Sequence, residues 1–317
     1  MGNFAITLEK INAMAPTEIA NDENVKQKFI EIYETIWGEG KGESAYAKEK
    51  YYFNRIVSDS TEIKNKCTRF SVFNAFLDIA VCGLSLEPGN KPLLYLRPRN
   101  YKIGVNQQNK SVYEGRCILE ISGYGELALR ARVGQIRYAD NPVIMYEGDT
   151  FSAKVISGQK VVDYECCIPR KSNKIIGAFI KIVRSDGSID YSWMLEDEIE
   201  RLKGYSAKAN KKWDENRRTY VEAANSLYSS QNGGIDSGFL GAKMIKHAFS
   251  AYPKIRIGRG TMLATEQEED IDYGVANDIP ERNMEERNER NTPFGDEVNS
   301  IGGGVKVEVN EEENGAF

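Results

Sequence analysis

The chain has 317 residues, 41% hydrophobic, 10% aromatic and 28% charged, which supplies a sizeable core for a large domain or two. This composition excludes a wholly disordered chain, a collagen-like repeat and a small disulfide scaffold, and the best apolar run, Ile175–Ile180, falls far short of the ~20 residues a bilayer span needs. The net charge of −5 is unevenly spread: residues 264–317 hold 16 acidic and 4 basic side chains, a net −12, leaving +7 on residues 1–263. Such a body attracts a polyanion, and such a tail can compete for the same surface.

In chain order, residues 1–60 are predicted to be a helical region, in which Phe29, Ile32, Tyr33 and Ile36 form one apolar stripe that ends at Trp37-Gly38. Residues 61–82 predict a second helix, with Phe70, Phe73, Leu77, Ala80 and Val81 on its buried face and Gly83 as C-cap. Strands are predicted at Pro92–Leu96, Tyr101–Val105 and Val112–Ser122, the last with Cys117, Leu119 and Ile121 alternating with Ile118, Glu120 and Ser122. A short helix, Tyr124–Val133, closes at Gly134. Strands follow at Val143–Tyr146, Phe151–Ile156, Val161–Cys167, Lys174–Arg184 and Ser188–Met194, the last two joined by an Asp186-Gly187 hairpin turn. Leu195–Lys203 is helical, residues 204–235 are polar and irregular around Trp213, and Asp236 caps a final helix to Ala251 that buries Leu240, Met244, Ile245 and Ala248. Beyond Leu263 the apolar fraction collapses, which predicts a disordered acidic tail. The fold class is α+β, an antiparallel sheet core flanked by helices, divided as 1–60 helical region, 61–263 α+β core and 264–317 tail.

The start of the chain shows no secretory signal pattern. Five cysteines without a CxxC spacing fit reduced thiols in a cytoplasm. One histidine, His247, excludes most His-rich metal sites and reads as a structural residue. No GxxxxGK[ST] loop or dinucleotide fingerprint is present, so neither a cofactor nor ATP-driven work is expected. Strand carboxylates Asp149, Asp163 and Glu165 raise a metal nuclease, but the Glu-x-Lys triple such a site needs, Glu62-Ile63-Lys64, starts a helix. The cations are more telling. Lys91, Arg97, Arg99 and Lys102 alternate with Leu93, Tyr95 and Tyr101, and Arg97 and Arg99 share their strand face with Tyr95 and Tyr101, the combination a single-strand groove uses to hold backbone and stack bases. Arg130 and Arg132, with Arg137 just beyond Gly134, offer guanidinium forks for phosphate, and Lys243 and Lys246 share a helix face.

Several blocks resemble, in order and spacing, the RecT family of phage and prophage single-strand annealing proteins. They are Gly83-Leu84-Ser85-Leu86-Glu87-Pro88 with Tyr95-Leu96-Arg97-Pro98; Ile121-Ser122-Gly123-Tyr124-Gly125-Glu126-Leu127-Ala128-Leu129-Arg130-Ala131-Arg132-Val133-Gly134-Gln135-Ile136; Tyr146-Glu147-Gly148-Asp149-x-Phe151; Gly177-Ala178 with Asp186-Gly187; and Met244-x-Lys246 near Pro253. Together they cover roughly residues 65–257. Three segments depart from the family pattern: Gly125-Glu126 stands where Lys-Gly is common, Cys167-Ile168-Pro169 where many members have His-x-Pro, and Val221–Gly234 resembles an insertion.

The resemblance implies a RecT or Red beta type annealing fold and an ATP-independent, non-enzymatic protein. Such a protein binds single-stranded DNA, pairs complementary strands in recombination and holds the annealed duplex as a homo-oligomeric ring or filament. Annealing requires cations that neutralise two mutually repelling strands while base edges stay free. The expected DNA-binding set is Lys91, Arg97, Arg99, Arg130, Arg132, Lys243 and Lys246, with Tyr124 beside them. A partner exonuclease and a host single-strand binding protein are the protein partners it brings into view. The end of the tail, Glu311-Glu312-Glu313-Asn314-Gly315-Ala316-Phe317, resembles the acidic tips by which bacterial single-strand binding proteins recruit partners. The competing classes are a non-annealing single-strand binding protein and a metal-dependent nuclease.

Overall fold

A computed structural model describes residues 6–209, 211–215, 217–231, 234–253 and 255. The acidic stretch 264–317 lies outside the described residues. The chain opens with helices α1 (Leu8–Ala13), α2 (Glu23–Trp37) and α3 (Gly42–Asp59). Asp22 caps α2 by accepting from the Asn24 and Val25 amides, and Gly38 ends it. The helix predicted over 61–82 is two helices, α4 (Thr61–Lys66) and α5 (Arg69–Cys82). The break falls at Cys67-Thr68 because Thr68 donates its amide to Gly115 O (2.9 Å) and its hydroxyl caps α5. The buried face of α5 also differs from the predicted one. Val72, Ala75, Phe76 and Ile79 join Ala80 and Val81 in the core, Phe73 and Leu77 are partly buried, and Phe70 is 47% exposed.

Strands β1 (Leu94–Val105) and β2 (Ser111–Ile121) form one long antiparallel hairpin. The two separate strands predicted at 92–96 and 101–105 are continuous through Pro98. A two-stranded sheet consists of edges, so proline's missing N–H is tolerated there. One hairpin face buries Leu94, Leu96, Cys117, Leu119 and Ile121 against the helices, anchored by Cys117 N to Ser71 Oγ at 2.9 Å. Gly115 makes that approach possible: a Cβ there would stand 2.2 Å from Lys66 O.

Helix α6 (Gly123–Arg132) starts directly at the hairpin base. The strands β3 (Ile136–Ala139), β4 (Val143–Tyr146), β7 (Ile175–Arg184) and β8 (Ile189–Leu195) then form an antiparallel sheet in which β7 pairs with the other three. A second hairpin, β5 (Thr150–Ile156) and β6 (Gln159–Glu165), forms a two-stranded sheet of its own. Asp149 ties its base, accepting from Tyr146 N, Cys167 N and the Tyr164 hydroxyl, which holds its carboxyl below the ordinary carboxylate value despite the opposing effect of desolvation. Helix α7 (Glu196–Ala209) runs past its predicted end into the stretch expected to be irregular. A short hairpin, β9 (Lys211–Asp214) with β10 (Thr219–Glu222), lies there too. Helix α8 (Ser237–Ser250) has Asp236 as its cap, as predicted. The architecture is α+β, antiparallel sheets flanked by helices.

The apolar side chains form two clusters. Phe29, Tyr46, Phe53, Phe76, Leu94 and Leu119 belong to the first, and Ile180, Met194, Leu240, Met244 and Ile245 to the second. Helix α6 serves both: Ala128 and Leu129 face the first, and Tyr124, Leu127 and Ala131 the second. Cys67 and Cys117 are buried thiols, and burial pushes Cys67 up to about 11, which keeps it protonated. No described helix is long and apolar enough to cross a membrane.

Candidate nucleic-acid interface

Side chains two apart on a strand share a face, and cross-strand partners share it too. The outer hairpin face therefore carries Tyr95, Arg97, Arg99 and Tyr101 opposite Glu120, Ile118, Arg116 and Glu114. Arg97 lies over the Tyr95 ring at 5.3 Å and Arg116 over the Tyr101 ring at 5.0 Å. Arg99 grips the buried Glu120 carboxylate through Nε (3.1 Å) and Nη2 (2.6 Å). Arg116 pairs with Glu114 at 2.7 Å. Arg99 and Arg116 are directly opposed across the two strands, and each is held by its own carboxylate on the same face. Residue spacing alone does not single out Arg116. Antiparallel pairing of the two strands across the Asn106–Lys110 turn is the signal that finds it.

The row continues onto α6. Ser122 caps this helix, accepting from Gly125 N (2.9 Å), while its amide donates to Leu93 O (2.9 Å). A Cβ on Gly125 would stand 2.1 Å from that same carbonyl, so only glycine lets the helix start seat on the hairpin. Tyr124 is thereby placed beside Tyr95, and burial with that neighbour raises its phenol above the ordinary value. Lys91 caps the group, 5.0 Å from the Tyr124 ring centroid and 2.9 Å from Asn141 Oδ1. The Lys246 stem is close: Cγ lies 3.5 Å from where a Gly123 Cβ would be. Lys91, Tyr124 and the Lys246 stem thus lie at the hairpin base, and Arg97 and Arg99 follow along β1.

The other three predicted cations lie elsewhere. Arg130 is 3% exposed. It pairs with Glu126 one turn earlier, bonds Gln135 and Pro253 O (3.1 Å), and stacks on Phe249 and Tyr252. Its spacing from Arg132 suggests a shared phosphate site, but α6 is packed on both sides and this position faces inward. Glu126, part of one departure from the family pattern, is its buried counter-charge. Arg132 is exposed at the far end of α6, 3.8 Å over the Trp37 ring and bonded to Gly83 O. Lys243 is 5% exposed with its ammonium 4.7 Å over Phe239, so it does not share an open helix face with Lys246.

A second basic surface has no counterpart among the sequence expectations. Lys50, Tyr51, Asn54, Arg55 and Ser58 of α3 line a shallow hollow of about 600 Å³. It joins residues of a single helix, whereas the hairpin row is assembled from three elements.

Among the described residues no cluster of three His, Cys, Asp or Glu side chains could hold a metal ion. His247 is partly buried, and burial lowers its pKa from the ordinary 6.5. The unfolded chain then takes up that proton more readily than the folded one, so the contribution is complete above the ordinary value and is lost as pH falls below it. Thermal melts from about pH 7 to about pH 5.5 are expected to show a falling Tm. In His247→Gln that decline should flatten, and an unchanged pH slope would clear the imidazole.

Cations interleaved with tyrosines on a strand face, continued by a lysine-capped tyrosine at a helix start, are the combination with which a single-strand groove holds backbone and stacks bases. Residues 54–220, more than half of the chain, match the family described as the RecT family, and the chain belongs to it. No curated protein matches the chain. Membership makes it a phage-type single-strand annealing protein of recombination, a class that binds single-stranded DNA and oligomerises. The match takes in the whole hairpin and α6, but of the α3 hollow only Asn54, Arg55 and Ser58.

Proposed function

We propose that the chain anneals complementary DNA strands without nucleotide hydrolysis and without acting as an enzyme. The outer β1–β2 face and the start of α6 hold the strand. Residues 61–263 form the annealing core and residues 1–60 brace it. The single observation that carries this reading is the row Lys91, Tyr124, Tyr95, Arg97, Arg99, Arg116 and Tyr101, in which cations and aromatic rings alternate along one face of the hairpin and onto the start of α6. From Tyr95 to Tyr101 the row spans about 20 Å, enough to follow several successive phosphates. Binding through phosphate leaves base edges free for a second strand. Arg132 extends the DNA-binding set at the far end of α6, and Lys246 flanks its start.

The assembly is a ring or filament of copies in the cytoplasm. An exonuclease that exposes single strands and a host protein that coats them are the partners this activity calls for. Labelled complementary oligonucleotides mixed without ATP or Mg²⁺ should pair faster with the protein than alone, and electron micrographs should show closed or helical assemblies that change on duplex formation. Binding without accelerated pairing would assign a non-annealing single-strand binder instead, and Mg²⁺-dependent cleavage would assign a nuclease.

A further inference from the structure

Glu120 sits inside the cation row, 2% exposed. Its two oxygens are held differently. Oε1 takes the Arg99 fork, and the Arg99 side chain is only 14% exposed. Oε2 lies 3.1 Å from Arg97 Nε, within ion-pair reach but off line for a hydrogen bond. Neither of these two buried atoms has a hydrogen-bond partner. They have given up water for an ion-pair attraction that is not reinforced by a directed hydrogen bond, a weaker hold than the Arg99 fork. The Arg97 side chain is otherwise 43% exposed and lies over Tyr95, free to turn outward.

We propose that Glu120 is a positioning residue that occupies the place of a backbone phosphate. It fixes Arg99 as a permanent post and holds Arg97 as an exchangeable cation, which turns from Oε2 to a phosphate oxygen when a strand arrives. The proposal rests on the reading that this face binds single strands. Its consequence is a moderated grip. Each strand must displace an internal carboxylate, so bound strands can shift register while a complement is being matched.

The test uses the full chain and a fluorescent oligothymidylate. Wild type should bind, and Glu120→Gln should bind up to about fivefold more tightly, the most that opening a half-exposed ion pair costs. That gain should vanish in an Arg97→Gln background and persist in an Arg116→Gln background. No gain, or the same gain without Arg97, overturns the proposal. If Glu120→Gln does not fold, the single arginine variants decide. Arg97→Gln should weaken binding at unchanged Tm, whereas Arg99→Gln should lower Tm by orphaning Glu120, and equal or reversed behaviour overturns it. Failure of wild type to bind sinks the reading of the face and this proposal with it. Wild-type binding with no Arg97-dependent gain sinks the exchange alone.

Discussion

Replacing Lys91, Arg97 and Arg116 together by glutamine is expected to weaken oligonucleotide binding by more than a hundredfold, on about 1.5 kcal/mol for each charge-assisted hydrogen bond to phosphate that is removed. Pairing of complementary strands should slow in step. The slope of log K against log salt should become shallower by about 2, three phosphates at ~0.7 each for a single strand. Stability should hold. Lys91 is exposed, and the Arg97 and Arg116 side chains are 43% and 45% exposed. Arg99 also stays in place to neutralise Glu120. Undiminished affinity at an unchanged salt slope would remove the hairpin face from the site.

Arg130→Gln should do the opposite, unfolding the protein more readily before it touches DNA binding. Its guanidinium is the counter-charge of buried Glu126, a donor to Pro253 O and the cation over two aromatic rings. Removing it leaves a carboxylate uncompensated in the core, at about 3–5 kcal/mol. On a domain of this size the melting temperature should fall by roughly 10 °C or more. Adding Glu126→Gln should recover part of the loss. Arg132→Gln, at an exposed position, forfeits only the stack on the partly buried Trp37 ring and the bond to Gly83 O, about 1–2 kcal/mol. Urea unfolding followed by circular dichroism separates the two. Equal stability of the two variants would mean that Arg130 is not a buried tie between α6 and Pro253.

Periodicity and capping carry much of the fold in the sequence. The stripe of α2, the alternation of Cys117, Leu119 and Ile121, the Asp186-Gly187 turn and the Asp236 cap are local signals that tertiary packing leaves alone. What the sequence hides depends on a second layer. The break at Cys67-Thr68 exists because Gly115, far along the chain, accepts the Thr68 amide. Arg130 and Lys243 look like surface cations because charged side chains at helical spacing ordinarily face water. Packing on both sides of α6 and against Phe239 buries them. Glu126 at i−4 of Arg130 is the one local hint of that pair. Arg116 stays out of view because strand register, not residue spacing, places it opposite Arg99.

Ultraviolet cross-linking of a halogenated single-stranded oligonucleotide to the full chain, with adducts mapped by mass spectrometry, shows directly which face the strand lies on. Adducts at Tyr95, Tyr101 and Tyr124 are the predicted result. Adducts confined to Tyr51 on the α3 hollow, with the hairpin tyrosines unmodified, would contradict the assignment to the hairpin face.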